Sequence, residues 1–99
     1  MKFKYGSLCL SMGINNVIAE KNDLFMKFVM ASIGRHLMCD WGDMCIEDKN
    51  DNDFALKEGG RLFSGYNIPA ECGEMEGEKI WIITEHDRSA TTVLFPFEY

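Results

Sequence analysis

The chain is short of the features that mark most specialised classes. It has only two prolines, two histidines and four cysteines among 99 residues. Cys9, Cys39, Cys45 and Cys72 form no C-x-x-C pair. They read as reduced, mostly buried thiols and not as a disulfide framework. No stretch reaches the roughly 18 apolar residues needed to cross a bilayer. The opening Met1–Gly6 lacks the apolar core of a signal peptide. A cytoplasmic protein with no membrane attachment is the expectation. There is no internal repeat, no glycine-rich phosphate loop and no G-x-S-x-G nucleophile elbow, so nucleotide-binding and esterase-like readings have no motif to rest on.

What is present suits one folded domain spanning residues 1–99. Hydrophobic residues make up 46% and charged residues 26%, a balance that excludes a disordered tail. The net charge is −6, and it is unevenly placed. Residues 1–39 hold five basic groups (Lys2, Lys4, Lys21, Lys27, Arg35) against two acids (Glu20, Asp23), a net of +3. Residues 40–99 hold fourteen acids against five bases, a net of −9. Such a field repels phosphate backbones, so direct DNA or RNA binding is not expected. It favours a basic protein partner, or a surface that imitates nucleic acid. Negative charge also simply keeps a small protein soluble.

The fold class expected is α+β: an antiparallel meander of three to four strands packed against one main helix and one shorter helix. Ser7–Ser11 reads as a first strand. Gly13–Glu20 fits either a short helix or a turn followed by a strand. Leu24, Phe25, Phe28, Val29, Ile33 and Leu37 recur at helical spacing after the capping residues Asn22 and Asp23, predicting the main helix over 23–38. An irregular link centred on Trp41-Gly42 leads to a second helix over 47–58, with Glu47 and Asp48 at its start and Gly59-Gly60 at its end. Strands follow at 61–66, 79–84 and 91–95, separated by an acidic loop over 67–78 and a turn over 85–90.

Several constellations suggest chemistry without completing it. Asp48, Asn50 and Asn52 alternate like the first ligands of an EF-hand, but Asp53 stands where the glycine belongs and Gly59 where the bidentate glutamate belongs. His36-x-x-Cys39 with Cys45, and Cys72 or His86 as a fourth ligand, matches no zinc spacing. Neither a metal nor a cofactor is expected. Ser64, Cys39 and Cys45 are the candidate nucleophiles, with His36 or His86 as base. Thr84, Glu85, Asp87, Arg88, Thr91 and Thr92 crowd the last hairpin. They read as a self-satisfied turn network or as a polar site with Arg88 clamping an anion.

Two stretches together carry a resemblance. One is Arg35-His36-Leu37-Met38-Cys39-Asp40-Trp41-Gly42-Asp43, followed by Asn52-Asp53-Phe54-Ala55-Leu56. The other is Arg61-Leu62-Phe63-Ser64-Gly65-Tyr66, then Ile80 through Pro96 and Glu98-Tyr99. They resemble a family of short bacterial proteins of plasmids, phages and other mobile elements, with the pattern RH-x-x-GDWGD, NE-x-AL, R-x-x-S-x-Y and a C-terminal W-IITEADRS-x-TT-x-L-x-P-x-EY. Cys39 replaces the pattern's Gly, Asp53 its Glu and His86 its Ala. The matching positions His36, Asp40, Trp41, Asp43, Arg61, Tyr66, Glu85, Asp87 and Arg88 form the candidate binding cluster. The expected arrangement has the Trp41 link folding over the end of the sheet to meet the Thr84–Thr92 turn, with Arg61 or Arg88 paired to Asp40 or Asp43. The resemblance implies a mobile-element accessory protein that binds another macromolecule, one version being an inhibitor of a host defence system. The alternatives are a small hydrolase or nucleic-acid-modifying enzyme built on His36, Asp40, Asp43 and Arg88, and a structural homodimer.

Overall fold

A computed structural model describes residues 2–73 and 78–99. Its strands are β1 (Ser7–Leu10), β2 (Leu62–Asn67), β3 (Lys79–Thr84) and β4 (Ala90–Leu94). The helices are α1 (Met12–Ala19), α2 (Asp23–Leu37) and α3 (Ile46–Glu58), with short 3₁₀ turns at Ala70–Cys72 and Pro96–Glu98. The class is α+β, with two corrections to the expected architecture. First, the strand order is β1-β4-β3-β2. The meander of β2, β3 and β4 is antiparallel, but β1 runs parallel to β4, so the sheet is mixed. Second, residues 12–19 are a third helix. The Ser11 hydroxyl accepts from Ile14 N–H at its start, and Ile14, Val17 and Ile18 turn one face to the core. The expected acidic loop over 67–78 lies partly outside the described residues, at 74–77.

Alternation along the strands sorts the two faces. Tyr66, Ile80, Ile82, Val93 and Phe95 pack with Ile14, Phe25, Val29 and Ile33 in the main core. Each fully buried Phe or Val there contributes about 1.5–3 kcal/mol relative to exposure. The opposite face carries Phe63, Gly65, Trp81, Ile83 and Leu94, of which Ile83 and Leu94 are buried and Phe63 and Trp81 half-buried. Phe63 and Trp81 meet there with ring centroids 4.8 Å apart, and the Tyr99 ring stands 5.8 Å from Trp81.

The outer edge of β2 is sealed group by group. Asn52 on α3 lays its amide against Phe63, accepting from its N–H at 2.8 Å and donating to its carbonyl. The Trp41–Asp43 link takes the next positions: Gly65 N–H donates to the Trp41 carbonyl, and Asp43 N–H donates to the Gly65 carbonyl at 2.7 Å. The Asp43 carboxylate then accepts from Asn67 N–H at 2.9 Å. Gly42 holds the link this close because φ is +77° and a Cβ would collide with the Gly65 carbonyl and the Tyr66 ring. The link therefore runs along the sheet edge. This corrects the expectation that it folds over the sheet's end. α3 docks through Asn52, its only buried residue, whereas Phe54 is 68% exposed.

Candidate functional site

The nine candidate residues do not converge on a common cavity. Asp40 pairs with Arg35 in a two-pronged bridge (Nε–Oδ2 2.8 Å, Nη2–Oδ1 3.2 Å) and accepts from Gly42 N–H. The Arg35 hydrogen bonds hold its carboxyl below the usual aspartate range. The pairing of Asp40 or Asp43 with Arg61 or Arg88 is therefore corrected: Arg35, one helical turn upstream of the link, takes Asp40, and Asp43 is spent on the strand edge. Tyr66 donates its hydroxyl to the Asp40 carbonyl at 2.7 Å, and burial pushes its phenol up. Trp41 is buried and donates its indole N–H to Asp53 at 2.9 Å.

Arg88 holds backbone, not an anion. Its guanidinium donates to the carbonyls of Gly60 (2.6 Å) and Glu85 (3.0 Å), tying the end of α3 to the β3–β4 turn. Cations suit that site because helix C-termini carry partial negative charge. Glu85 lies 3.4 Å from Arg61. Asp87, at the exposed turn tip, is held below the usual aspartate range by hydrogen bonds from the Ser89 side chain and the Ser89 N–H. The last hairpin is thus the self-satisfied network of the two readings.

His36 is fully buried within a chain of hydroxyls. Its Nδ1 lies 2.6 Å from Ser64 Oγ and its Nε2 2.8 Å from Thr84 Oγ1. Thr84 continues to Thr91 at 2.8 Å, and Thr91 donates to the Tyr5 carbonyl. One proton per hydroxyl fixes the direction of every bond. Thr91 uses its proton on Tyr5, so Thr84 donates to Thr91. Thr84 must then accept from His36 Nε2–H, and in the neutral imidazole Nδ1 accepts from Ser64. Burial, with the Arg88 charge second, lowers the His36 pKa to about 4. The pair has the polarity of a Ser–His dyad, but Ser64 and His36 are both 0% exposed. The Phe3 and Trp41 rings pack edge-on against the imidazole, each with its centroid 5.5 Å away. No substrate reaches this serine in the folded state. Among the described residues, no group of three or more His, Cys, Asp and Glu side chains is placed to hold a metal ion.

The concave site lies elsewhere. A cleft of about 630 Å³ opens between α3, the link and the outer face of β2 and β3. Phe63 and Trp81 line it together with Met44 and Asn52, and Asp43, Asp48, Asp51, Arg61 and Lys79 supply its charges. Of the nine expected residues only Asp43 and Arg61 line it. The others were missed as cleft residues although the signals existed. Phe63 and Trp81 stand at the outward phase of their strands, and Asp48 and Asp51 are three apart on one helix face. Of the EF-hand-like residues, Asn52 is buried against β2, Asp48 lines the cleft and Asn50 is exposed. Arg61 is already engaged: its guanidinium donates to Tyr99 Oη at 2.6 Å, lies over the Tyr99 ring and faces Glu85. Asp48 and Asp51 have no such partner among the described residues.

No protein-family model, curated protein sequence or solved structure matches the chain, so its geometry carries the functional reading.

Proposed function

We propose that the domain is a mobile-element accessory protein that binds a basic macromolecular partner, in one version inhibiting a host defence system. One observation carries the reading: an open cleft with aromatic walls and three carboxylates, Asp43, Asp48 and Asp51, lies in the half of the chain whose net charge is −9. Electrostatic steering toward a basic surface would give fast, salt-sensitive association. The polar residues that a hydrolase would need, His36, Asp40, Asp43 and Arg88, are separated and mostly occupied by internal partners, which counts against catalysis by that set. The test is affinity capture from host cells at low salt. A basic protein released by moderate salt is expected; recovery of no protein partner contradicts the reading. The inhibitor version adds that expression in the host raises entry of phage or plasmid DNA, and unchanged entry removes that version.

A second reading, the homodimer, has its own observation. Ser7 N–H donates to the Ser89 carbonyl just ahead of β4 and Ser11 N–H to the Val93 carbonyl, so Leu8 between them turns its N–H and carbonyl away from the sheet. Leu8 is 44% exposed, and this edge lacks the cover given to β2. Open edges invite strand pairing. Sedimentation equilibrium would show a dimer that Leu8→Lys dissociates; a monomer at all concentrations removes this reading.

A further inference from the structure

We infer that the cleft between α3 and the outer sheet face receives an arginine side chain of the partner. This assignment rests on the basic-partner reading and adds the chemistry of the contact. Charge comes first. Asp43, Asp48 and Asp51 stand around the cleft, against Arg61 and Lys79. Glu85 lies 3.4 Å from Arg61 and offsets its charge, which among the described residues leaves Lys79 as the cation without an ion pair against three carboxylates. A cationic guest is therefore favoured over an anionic one.

The walls select among cations. Phe63 and Trp81 present tilted rings, 60° apart, whose faces attract a positive charge. A guanidinium is planar and weakly hydrated, so it stacks on rings at lower desolvation cost than an ammonium. Its forked N–H groups also match carboxylates, and Asp48 and Asp51 rise from successive turns of α3 beside the rings. The chain itself uses this contact nearby. Arg61, at the same cleft, lies with Cζ 5.4 Å from the Tyr99 ring centre, and Arg35 lies 4.9 Å from that of Tyr66.

The test is a titration of the full chain, followed by amide and indole N–H resonances, with tetra-arginine, tetra-lysine and tetra-citrulline peptides. Citrulline keeps the shape of arginine and removes the charge. Tetra-arginine should shift the Trp81 indole resonance saturably and leave that of buried Trp41 in place. Tetra-lysine should bind more weakly and tetra-citrulline not at all. Asp48→Asn with Asp51→Asn should weaken tetra-arginine at least about fivefold. Both positions are exposed, so the fold should persist. Lys79→Met, which removes the competing cation, should tighten binding. An unmoved Trp81 resonance, equal shifts with citrulline, equal affinity for lysine, or unchanged affinity in the double variant would each overturn the assignment. Its failure is distinct from failure of the partner reading. If a captured basic partner binds the double variant as tightly as wild type, the partner reading stands and the arginine site falls.

Discussion

His36 sits buried between two hydroxyls, and burial disfavours its charged ring, so protonation and folding compete. Its pKa is about 4 in the folded state against an ordinary 6.5. Between those values the unfolded chain binds more protons, so stability rises with pH through this window and is lost as pH falls from about 6.5 toward 4. The loss is about 3 kcal/mol. Urea unfolding at several pH values should show that slope, and His36→Gln should abolish it. Glu98 acts in the same sense at lower pH. Burial opposes its ionised form, but bonds from Ser11, Phe95 N–H and Gly13 N–H outweigh this and lower its pKa. Its contribution is therefore present above about pH 4.5 and lost only as pH falls through its depressed value. Cys39 bears on stability through its backbone. Its φ is +64°, a left-handed conformation that costs a side-chain-bearing residue about 1–2 kcal/mol. Cys39→Gly should raise the urea midpoint, by about 0.5–1 kcal/mol in stability once glycine's extra chain entropy is subtracted; a lowered midpoint would contradict this.

At the scale of elements, the link and α3 act as a cover for an edge strand. Asn52→Leu keeps the volume and leaves the Phe63 N–H and carbonyl without their partner, at an expected cost of about 2–4 kcal/mol. Hydrogen exchange should accelerate at the Phe63 amide while the β3–β4 amides stay protected. Uniform acceleration would mean that Asn52 supports the whole fold, not this edge. The same comparison explains what was legible in the sequence. α2, the β2–β4 meander and the glycine-capped end of α3 announce themselves through local periodicity and turn chemistry, and they lie where expected. The parallel pairing of β1 with β4 joins segments some 80 residues apart in sequence, and no local pattern encodes it. The helical state of 12–19 depends on Ser11 and on Glu98 from the far end of the chain. The candidate cluster failed for a related reason. Asp40, Trp41, Asp43 and Arg88 have the side chains of a site, but the backbone beside them supplies most of their partners. Residue type alone does not tell a carboxylate that caps an edge from one that meets a ligand.

Across the whole molecule the acids divide by role: Asp40 and Asp43 hold the link, Glu98 joins the two ends of the chain, and Asp48 and Asp51, without a partner among the described residues, line the cleft with Phe63 and Trp81. The central claim is that this last group, backed by the net −9 of residues 40–99, recruits a basic partner. Surface charges of this kind act across about 10 Å at 0.1 M salt, so their contribution fades as ionic strength rises. The most direct test is the affinity of a partner captured from host cells, measured from low to moderate salt, for wild type and for Asp48→Asn with Asp51→Asn. The account predicts binding that weakens steeply with salt, and a double variant that is weaker at low salt with a shallower salt dependence. Affinity indifferent to salt and identical in the two proteins would contradict it.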